Sequence, residues 1–412
     1  MLGPTMTQAR LSGEDQERPT PVGRRPNPAG LPAELAEFNE FGTSTTVTST
    51  EVPVDGKPIA VPTFINEFWT AKQRAAHSLH EVSYRACFKP QLPRFFIERL
   101  TAPGDVVYDP FSGRGTTALE AALLGRQAWA CDINPLSRCL SLPRLAPATP
   151  EEVQARLAKI DLESPCDVPS ELDVFYHPTT LRAIGNLRAY FLRRLNEGTF
   201  DRIDAWIRMV ALNRLTGHSS GFFSVYSLPP NQAVSVDSQR KINEKRQQTP
   251  PLRDVRKIIH KKTRTLLADL TAADLSTLAQ AGKSAQVVTG DCRSVPALQS
   301  GQVSLIVTSP PFLDIVNYKG DNWLRCWFID VNPEDVPIMQ FRKLTDWAAA
   351  MTEGFREHRR LLKPGGHIAF EVGEVRNGEV RLEETVIECA VKAGLAPELV
   401  LIQDQEFTKT SN

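Results

Sequence analysis

The chain has 412 residues, 41% of them apolar, so it can bury a large core in two domains or in one domain that carries an insertion. Lys plus Arg and Asp plus Glu balance at 48 each, so net charge identifies no acidic or basic partner, and any affinity for nucleic acid must come from local clustering. The seven cysteines lack metal-ligand spacing and no apolar run approaches the roughly 20 residues of a membrane span, so we expect a cytoplasmic protein with reduced thiols, no metal site and no membrane partner.

Four segments differ in character along the chain. Residues 1–35 are rich in Pro, Gly and charge, which predicts a disordered arm because little burial offsets its ordering entropy. Residues 36–148 alternate strand-like "DVVYD" and "QAWACDI" with helix-like "FFIERL" and "ALEAALLG". Residues 149–283 have helical patterns that become basic, and residues 284–412 return to the α/β rhythm at "AQVVTGD", "VSLIVTSPP" and "GGHIAFEVGE". The last strand is either absent from a shortened chain or supplied by "ELVLIQDQEF".

The first motif with a chemical meaning is "VVYDPFSGRGTTALEAALLG", residues 106–125. A strand is followed by a loop with Gly113 and Gly115 and then by a helix, an arrangement in which backbone N–H groups can approach a ligand closely. The next strand ends at Asp132, where a carboxylate is placed to accept hydrogen bonds from both hydroxyls of a ribose. An ordinary turn between strand and helix, with Asp132 as a helix cap or surface acid, is the alternative.

The second motif is "VTSPPFLDIVNY", residues 307–318, in which two prolines and an aromatic residue follow a buried strand. Proline fixes φ, so this corner holds its polar groups rigidly. The alternative is a simple strand terminator with Phe312 in the core. Tyr318 and Trp323, a little further on, are equally compatible with lining a pocket and with core packing.

These motifs resemble those of the amino-group DNA methyltransferases. "DPFSGRGTT" is similar to the S-adenosylmethionine loop of that family, "TSPPF" to its catalytic tetrapeptide, and "GDCRSV" lies about fifteen residues before the second; the match spans residues 77–135 and 286–375. The resemblance implies an α/β, Rossmann-like class I methyltransferase fold with a mostly parallel seven-stranded sheet and one reversed edge strand. The region between the motifs would be a largely helical inserted target-recognition region.

The resemblance also implies the cofactor and its contacts. Asp291 would bind the adenine of S-adenosyl-L-methionine, and Phe88 and Lys89 would cover its methionine end. The residues predicted to contact the cofactor are Phe88, Lys89, Asp109, Phe111, Ser112, Gly113, Gly115, Thr116, Thr117, Asp132, Ile133, Asp291 and Cys292.

The corner at Ser309 suits methyl transfer to an exocyclic amine, whose nitrogen lone pair is delocalised into the ring. The Ser309 side chain and the Pro310 carbonyl could each accept one N–H and localise that lone pair, with Pro311 keeping the corner rigid. Phe312 would stack on the extruded base, which is worth on the order of 1–3 kcal/mol. In the family, serine at the first position is usual for cytosine N4 and aspartate for adenine N6, so Ser309 favours cytosine.

The insertion has a basic stretch. Between Gln239 and Arg264 ten cations face only Glu244 and Asp254, which predicts a phosphate-binding surface, although a solvated charged helix is the alternative. The residues predicted to contact DNA are Asn231, Gln232, Arg240, Lys241, Lys245, Arg246, Arg256, Lys257, Lys261 and Lys262.

From these patterns we expect a site-specific, cytosine-N4 methyltransferase acting on double-stranded DNA in the bacterial cytoplasm at the nucleoid, with a cognate restriction endonuclease as a candidate partner. Adenine-N6 methylation, RNA base methylation, protein-amide methylation and a DNA-binding module on an inactive fold are the alternatives. The recognition sequence and oligomeric state stay open.

Overall fold

The structure, a computed structural model, describes residues 30–69, 76–85, 87–229, 232–311, 317–373 and 381–404. The strands of these ranges are β1 (Thr46–Val54), β2 (Lys57–Asn66), β3 (Val106–Asp109), β4 (Gln127–Asp132), β5 (Gln286–Thr289), β6 (Val303–Thr308), β7 (Leu362–Phe370) and β8 (Val400–Gln403). The helices are α1 (Leu31–Ala36), α2 (Gln91–Leu100), α3 (Thr116–Leu123), α4 (Pro135–Leu145), α5 (Pro150–Ala158), α6 (Pro178–Asn196), α7 (Arg202–Leu212), α8 (Val236–Arg246), α9 (Val255–Leu266), α10 (Ala272–Ser284), α11 (Tyr318–Phe328), α12 (Leu344–Leu361) and α13 (Leu382–Lys392).

Five strands form a parallel sheet in the order β5-β4-β3-β6-β7. Every residue of β3 and of β6 is buried, as expected for central strands of a parallel sheet that carries helices on its faces. One face packs Val107 and Leu305 against apolar residues of α2, α3 and α4, and the other packs Tyr108 and Ile306 against Leu361 of α12. A mostly parallel α/β architecture is therefore confirmed for five strands.

The predicted seven-stranded sheet with a reversed edge strand is not found among the described residues. The segment proposed for the last strand does form β8, but β8 pairs in parallel with β2, which is itself antiparallel to β1. Gln403 at the end of β8 strengthens this pairing, because its side chain accepts from the backbone N–H of Phe68 at 2.9 Å and donates to the carbonyl of Trp69 at 2.6 Å. A small three-stranded sheet thus takes the strand that was expected at the edge of the large one.

The predicted N-terminal arm, residues 1–35, overlaps a described helix in its last residues. Residues 1–29 lie outside the described residues, whereas α1, which covers most of the rest of the predicted arm, is a helix with Leu31 and Leu35 buried in the main core. These two leucines are spaced by one helical turn, a pattern too short to stand out beside the Pro-rich sequence before it.

The large sheet has its switch point between β3 and β6. From β3 the chain continues to β4 on one side, and from β6 it continues to β7 on the other. In open parallel sheets, ligands bind in the crevice at the carboxyl ends of the strands where the order reverses. The glycine loop after β3 and the proline corner after β6 both lie at this crevice.

Helices α4 to α10 lie between β4 and β5, and those from α5 onward agree with the helical patterns predicted for residues 149–283. Helix α9 packs on α5 and α7 and also reaches the short turn Ser78–His80. Within the described ranges, no helix combines the length and apolar content that crossing a bilayer requires.

Candidate active site

A pocket with about 840 Å³ of empty volume, part of it open to solvent, lies at the switch point. It is lined by residues of both sequence motifs and of four further segments. The lining residues are Tyr84, Cys87, Phe88, Pro110, Phe111, Ser112, Gly113, Thr116, Asp132, Ile133, Asn134, Gly290, Asp291, Cys292, Ser309, Pro311, Tyr318, Pro337, Ile338 and Met339. The fold therefore brings the glycine loop, two strand-end acids and the proline corner into one space.

The glycine loop has its shape because two of its residues have positive φ, 51° at Gly113 and 76° at Gly115. A Cβ on Gly115 would also lie 2.7 Å from Cβ of Ser141 on α4, closer than two such atoms can approach. Asp132 fastens the loop from the neighbouring strand, since its Oδ2 accepts from the N–H of Gly113 at 2.7 Å and its Oδ1 from the N–H of Asn134 at 2.8 Å. Burial raises the pKa of Asp132 to about 6, against the effect of these two hydrogen bonds. The carboxylate is thus ionised at neutral pH and faces the pocket.

Four residues predicted to contact the cofactor do not line the pocket. They are Lys89, Asp109, Gly115 and Thr117. Asp109 lies beneath the loop, where its Oδ1 accepts from the hydroxyl of Thr308 at 2.6 Å and from the N–H of Phe111 at 3.1 Å. Burial raises the pKa of Asp109 to about 7 although these hydrogen bonds oppose it. The hydroxyl of Thr117 donates to the carbonyl of Val307 at 3.1 Å, so Asp109 and Thr117 join β3 and α3 to β6.

The segment before α2 covers the pocket on one side through Tyr84, Cys87 and Phe88. Arg114 of the glycine loop holds this cover, donating to the carbonyl of Val82 at 3.0 Å and to the carbonyl of Phe88 at 3.3 Å. Sequence reasoning found Phe88 but missed Tyr84 and Cys87, although both lie within four residues of it.

Helix α11 holds the same cover from the other side. Arg85 contacts Asp321 at 2.8 Å, and Arg325 donates to the carbonyl of Ser83 at 3.1 Å. Tyr318 at the start of α11 lines the pocket, whereas the indole of Trp323 donates to the carbonyl of Val234 at 3.1 Å and packs beside the core. Of the two alternatives left open for these aromatic residues, Tyr318 lines the pocket and Trp323 packs against the core.

At the proline corner, Ser309 and Pro311 line the pocket while Pro310 is buried and Phe312 lies outside the described residues. The side chain of Ser309 lies beside the carboxylate of Glu371, and the N–H of Glu371 donates to the carbonyl of Thr308 at 2.8 Å. Burial raises the pKa of Glu371, and the hydrogen bond from Ser309 opposes that rise.

Glu371 was missed at the sequence level. The signal was present, because Glu371 directly follows β7, a strand of the large sheet, much as Asp132 ends β4.

Asp291 enters the pocket beside Cys292. Its two carboxylate oxygens accept from Arg293, with the Nε at 3.0 Å from Oδ1 and the Nη2 at 2.6 Å from Oδ2, and Arg293 also contacts Glu353 of α12 at 3.3 Å. The hydrogen bond from Arg293 lowers the pKa of Asp291. Asp291 is therefore an ionised acceptor that follows the carboxyl end of β5 and lines the same pocket as the proline corner.

Comparison with known proteins matches this part of the chain. Residues 57–137, which include β3, the glycine loop and Asp132, match the sequence profile of a family described as DNA methylase. Over these residues the chain resembles the amino-methyltransferase family.

Two relatives agree with this assignment. The chain is 32% identical to Type II methyltransferase M.MvaI of Kocuria varians over 142 residues, which is 34% of this chain and 27% of that protein. It is 35% identical to Type II methyltransferase M.MjaII of Methanocaldococcus jannaschii over 69 residues, 17% of this chain and 12% of the relative. The alignments thus span about a quarter or less of the length of these relatives, and the resemblance to the family is confirmed at that level.

The pocket has a polar group suited to a cofactor with an amino-acid end. The hydroxyl of Ser112 is buried, lines the pocket and has no hydrogen-bond partner among the described residues. A buried hydroxyl of this kind costs free energy unless a ligand or water satisfies it. Together with the acids Asp132 and Asp291, it gives a lining that fits S-adenosylmethionine.

The predicted DNA contacts divide into two groups. Arg256 and Lys262 have partners inside the protein: Arg256 donates to the carbonyls of Leu157 at 3.2 Å and Ile160 at 2.8 Å, and Lys262 contacts Glu81 at 2.8 Å. These contacts attach α9 to the rest of the fold. A high density of cations along the sequence does not show which of them have such internal partners.

The other predicted DNA contacts are more accessible. Lys241, Lys245, Lys257 and Lys261 are exposed, as are Arg240, which pairs with Asp237 at 2.8 Å, and Arg246, which lies 3.8 Å from the ring centre of Tyr226. Gln232 is half-buried, and Asn231 lies outside the described residues. None of these described cations lines the pocket, so their contact with DNA stays a prediction.

Proposed function

We propose that the protein is an S-adenosylmethionine-dependent DNA methyltransferase that modifies the exocyclic amine of a base extruded from duplex DNA, cytosine N4 in preference to adenine N6. The single observation that carries this proposal is that Ser309 and Pro311 line the same pocket as the glycine loop and Asp132. The family assignment and the two Type II methyltransferase relatives support it.

The residues that would hold the cofactor are those of the glycine loop and the two strand ends. Asp132 would accept hydrogen bonds from the ribose hydroxyls, Asp291 from the adenine amine, and Ser112 would pair with the amino-acid end. When bound, S-adenosylmethionine supplies an electrophilic methyl group on a positively charged sulfur. Tyr84 and Phe88, which Arg114 holds in place, would exclude water from that side.

Ser309 and Glu371 would handle the proton of the amine. Because the hydroxyl of Ser309 donates to Glu371, the lone pairs of its oxygen are free to accept an N–H of the base, and the carbonyl of Pro310 would accept the second N–H. As the amine gains its methyl group it must lose one proton. That proton passes to Ser309 Oγ while the hydroxyl proton of Ser309 passes to Glu371, which balances the charge.

The exposed cations of α8 and α9 would supply phosphate contacts to double-stranded DNA. These cations are exposed and do not line the pocket. Lysine side chains on an exposed helix face suit phosphate contacts that position a duplex without reading its sequence. A role in a restriction–modification system, with a cognate endonuclease, follows by analogy with the Type II relatives.

The proposal is tested by incubating the protein with isotope-labelled S-adenosylmethionine and a mixed-sequence duplex, digesting to nucleosides and identifying the product by mass. N4-methylcytosine is expected. N6-methyladenine would overturn the preference drawn from Ser309, and labelled RNA in a parallel reaction with unlabelled DNA would overturn the DNA assignment. The Ser309→Ala variant, which should bind the cofactor and leave DNA unmodified, is the matched control.

A further inference from the structure

Trp347 lies directly behind the proline corner. It is 2% exposed and sits in the first turn of α12, and its indole Nε1–H donates to the carbonyl of Pro311 at 3.3 Å. The apolar cluster around it includes Phe111 and Met339, which line the pocket on other sides. The indole is thus placed between the catalytic corner and two walls of the pocket.

The corner has few means of its own for holding its carbonyl groups in position. Pro310 and Pro311 carry no N–H and have φ fixed by their rings, so ψ is the only soft dihedral angle at each of them. The peptide plane that carries the Pro310 carbonyl is therefore suspended between two ends. One end is β6, where Thr308 is bonded to Asp109 and to the N–H of Glu371, and the other end is the Pro311 carbonyl.

We propose that Trp347 is a positioning residue whose indole N–H fixes the Pro311 carbonyl, and that it thereby sets the direction of the Pro310 carbonyl toward the amine of the target base. This inference rests on the proposed function and adds to it the group that holds the second end of the corner. The same hydrogen bond turns the Pro311 carbonyl away from the amine, which leaves the Pro310 carbonyl as the backbone acceptor for the amine.

The requirement for a donor at this place follows from geometry. Proton acceptors that act on a reacting amine must be aligned before it arrives, and a displacement of about 1 Å in such a site can reduce the rate by roughly 100-fold. A phenylalanine at position 347 would fill much of the same volume and would leave the Pro311 carbonyl without its donor. We therefore expect an effect on the chemical step that exceeds the effect on folding.

The test compares Trp347→Phe with Trp206→Phe. Trp206 is equally well buried, and its indole donates to the hydroxyl of Thr263 at 3.1 Å, so the second variant loses the same kind of group inside the helical insertion. Single-turnover methylation by Trp347→Phe should fall by about 10- to 100-fold, while its affinity for S-adenosylmethionine and its KM for DNA stay at wild-type values. Trp206→Phe should lose thermal stability to a similar degree and keep the wild-type rate. Equal rates for the two variants at matched fractions of folded protein would overturn the proposal.

A structural readout separates this inference from the function on which it rests. If wild-type protein methylates no nucleic acid, the proposed function has failed, and crystal structures of the wild type and of Trp347→Phe then decide the positioning. A Pro311 carbonyl that rotates away from position 347 in the variant, taking the Pro310 carbonyl with it, is the expected result. A corner with the same backbone in both crystals would overturn the proposal.

Discussion

Replacement of Glu371 by Gln tests the proton path most sharply, because Gln keeps the size of the side chain and removes its charge. In the structure the side chain of Ser309 lies beside this carboxylate, and burial has raised the pKa of Glu371. Hydrogen bonds to charged groups contribute about 1.5–3 kcal/mol, and each 1.4 kcal/mol in a barrier corresponds to roughly tenfold in rate. We therefore expect the single-turnover rate of Glu371→Gln to fall by about 10- to 100-fold at neutral pH.

The pH dependence has a definite sign. Activity requires the ionised carboxylate, so the wild-type rate should decline as pH falls through the raised pKa of Glu371, at a pH above that of an ordinary glutamate. Glu371→Gln should lack this acidic limb. A raised pKa in the folded state also means that folding favours the protonated form, so the variant should unfold at the same temperature as the wild type or higher at pH 8.

The rate of the variant should thus fall without a loss of stability. The assay is single-turnover transfer of a labelled methyl group between pH 5 and 9, with thermal unfolding measured in the same buffers. A variant that keeps the wild-type rate and the acidic limb would show that Glu371 takes no part in proton transfer. A variant that loses rate only in proportion to lost stability would equally refute the reasoning.

Three further predictions concern the glycine loop, Asp132 and the basic helix α9. Gly115→Ala should lower the free energy of unfolding by more than Gly198→Ala. Both glycines have positive φ, which costs about 1–2 kcal/mol for a residue with a Cβ, but only the Cβ at position 115 would also clash with α4. Equal losses of stability in denaturant titrations would contradict the clash. Asp132→Asn should weaken S-adenosylmethionine binding by calorimetry, and wild-type affinity should decline as pH falls below about 6, whereas pH-independent binding would remove Asp132 from the cofactor site. Replacing Lys257 and Lys261 together by Ala should weaken DNA binding and reduce the slope of log affinity against log salt by roughly 0.9 for each phosphate that the protein no longer neutralises, and an unchanged slope would take this face of α9 out of the interface.

The two motifs were predictable from sequence because each is a combination of residues that seldom occurs outside a ligand-binding or catalytic loop. Glycines with positive φ after one buried strand, and two prolines after another, are constraints on the backbone that a local pattern records directly. Their meeting in one pocket followed from the switch point of a parallel sheet, which puts the carboxyl ends of β3 and β6 side by side.

Other parts of the site depend on contacts between distant residues. Glu371 lies 62 positions after Ser309 and is brought to it only by the pairing of β6 with β7. Pro337, Ile338 and Met339 belong to a loop without periodicity, so no local pattern marks them as a wall of the pocket. Trp347 has the apolar spacing of any buried helix residue, and its hydrogen bond to Pro311 is visible only in three dimensions.

The differences between the sequence-based expectations and the structure have the same origin. Arg256 and Lys262 were assigned to a DNA surface because cations are dense around them, but their partners Leu157 and Glu81 lie elsewhere in the chain. Asp109 was assigned to the cofactor because the family motif contains it, whereas its carboxylate binds Thr308 beneath the loop. The strand β8 was expected to be the last strand of the large sheet, but it pairs with β2, some 340 residues earlier in the chain.

The central claim is that the glycine loop and the proline corner serve one ligand space. A crystal structure of the protein with S-adenosylhomocysteine and a short duplex tests it most directly. We predict the ribose at Asp132, the adenine at Asp291, and an unpaired base held by Ser309 next to the sulfur. A cofactor product bound away from this pocket, or a base held on a surface that excludes Ser309, would contradict the account.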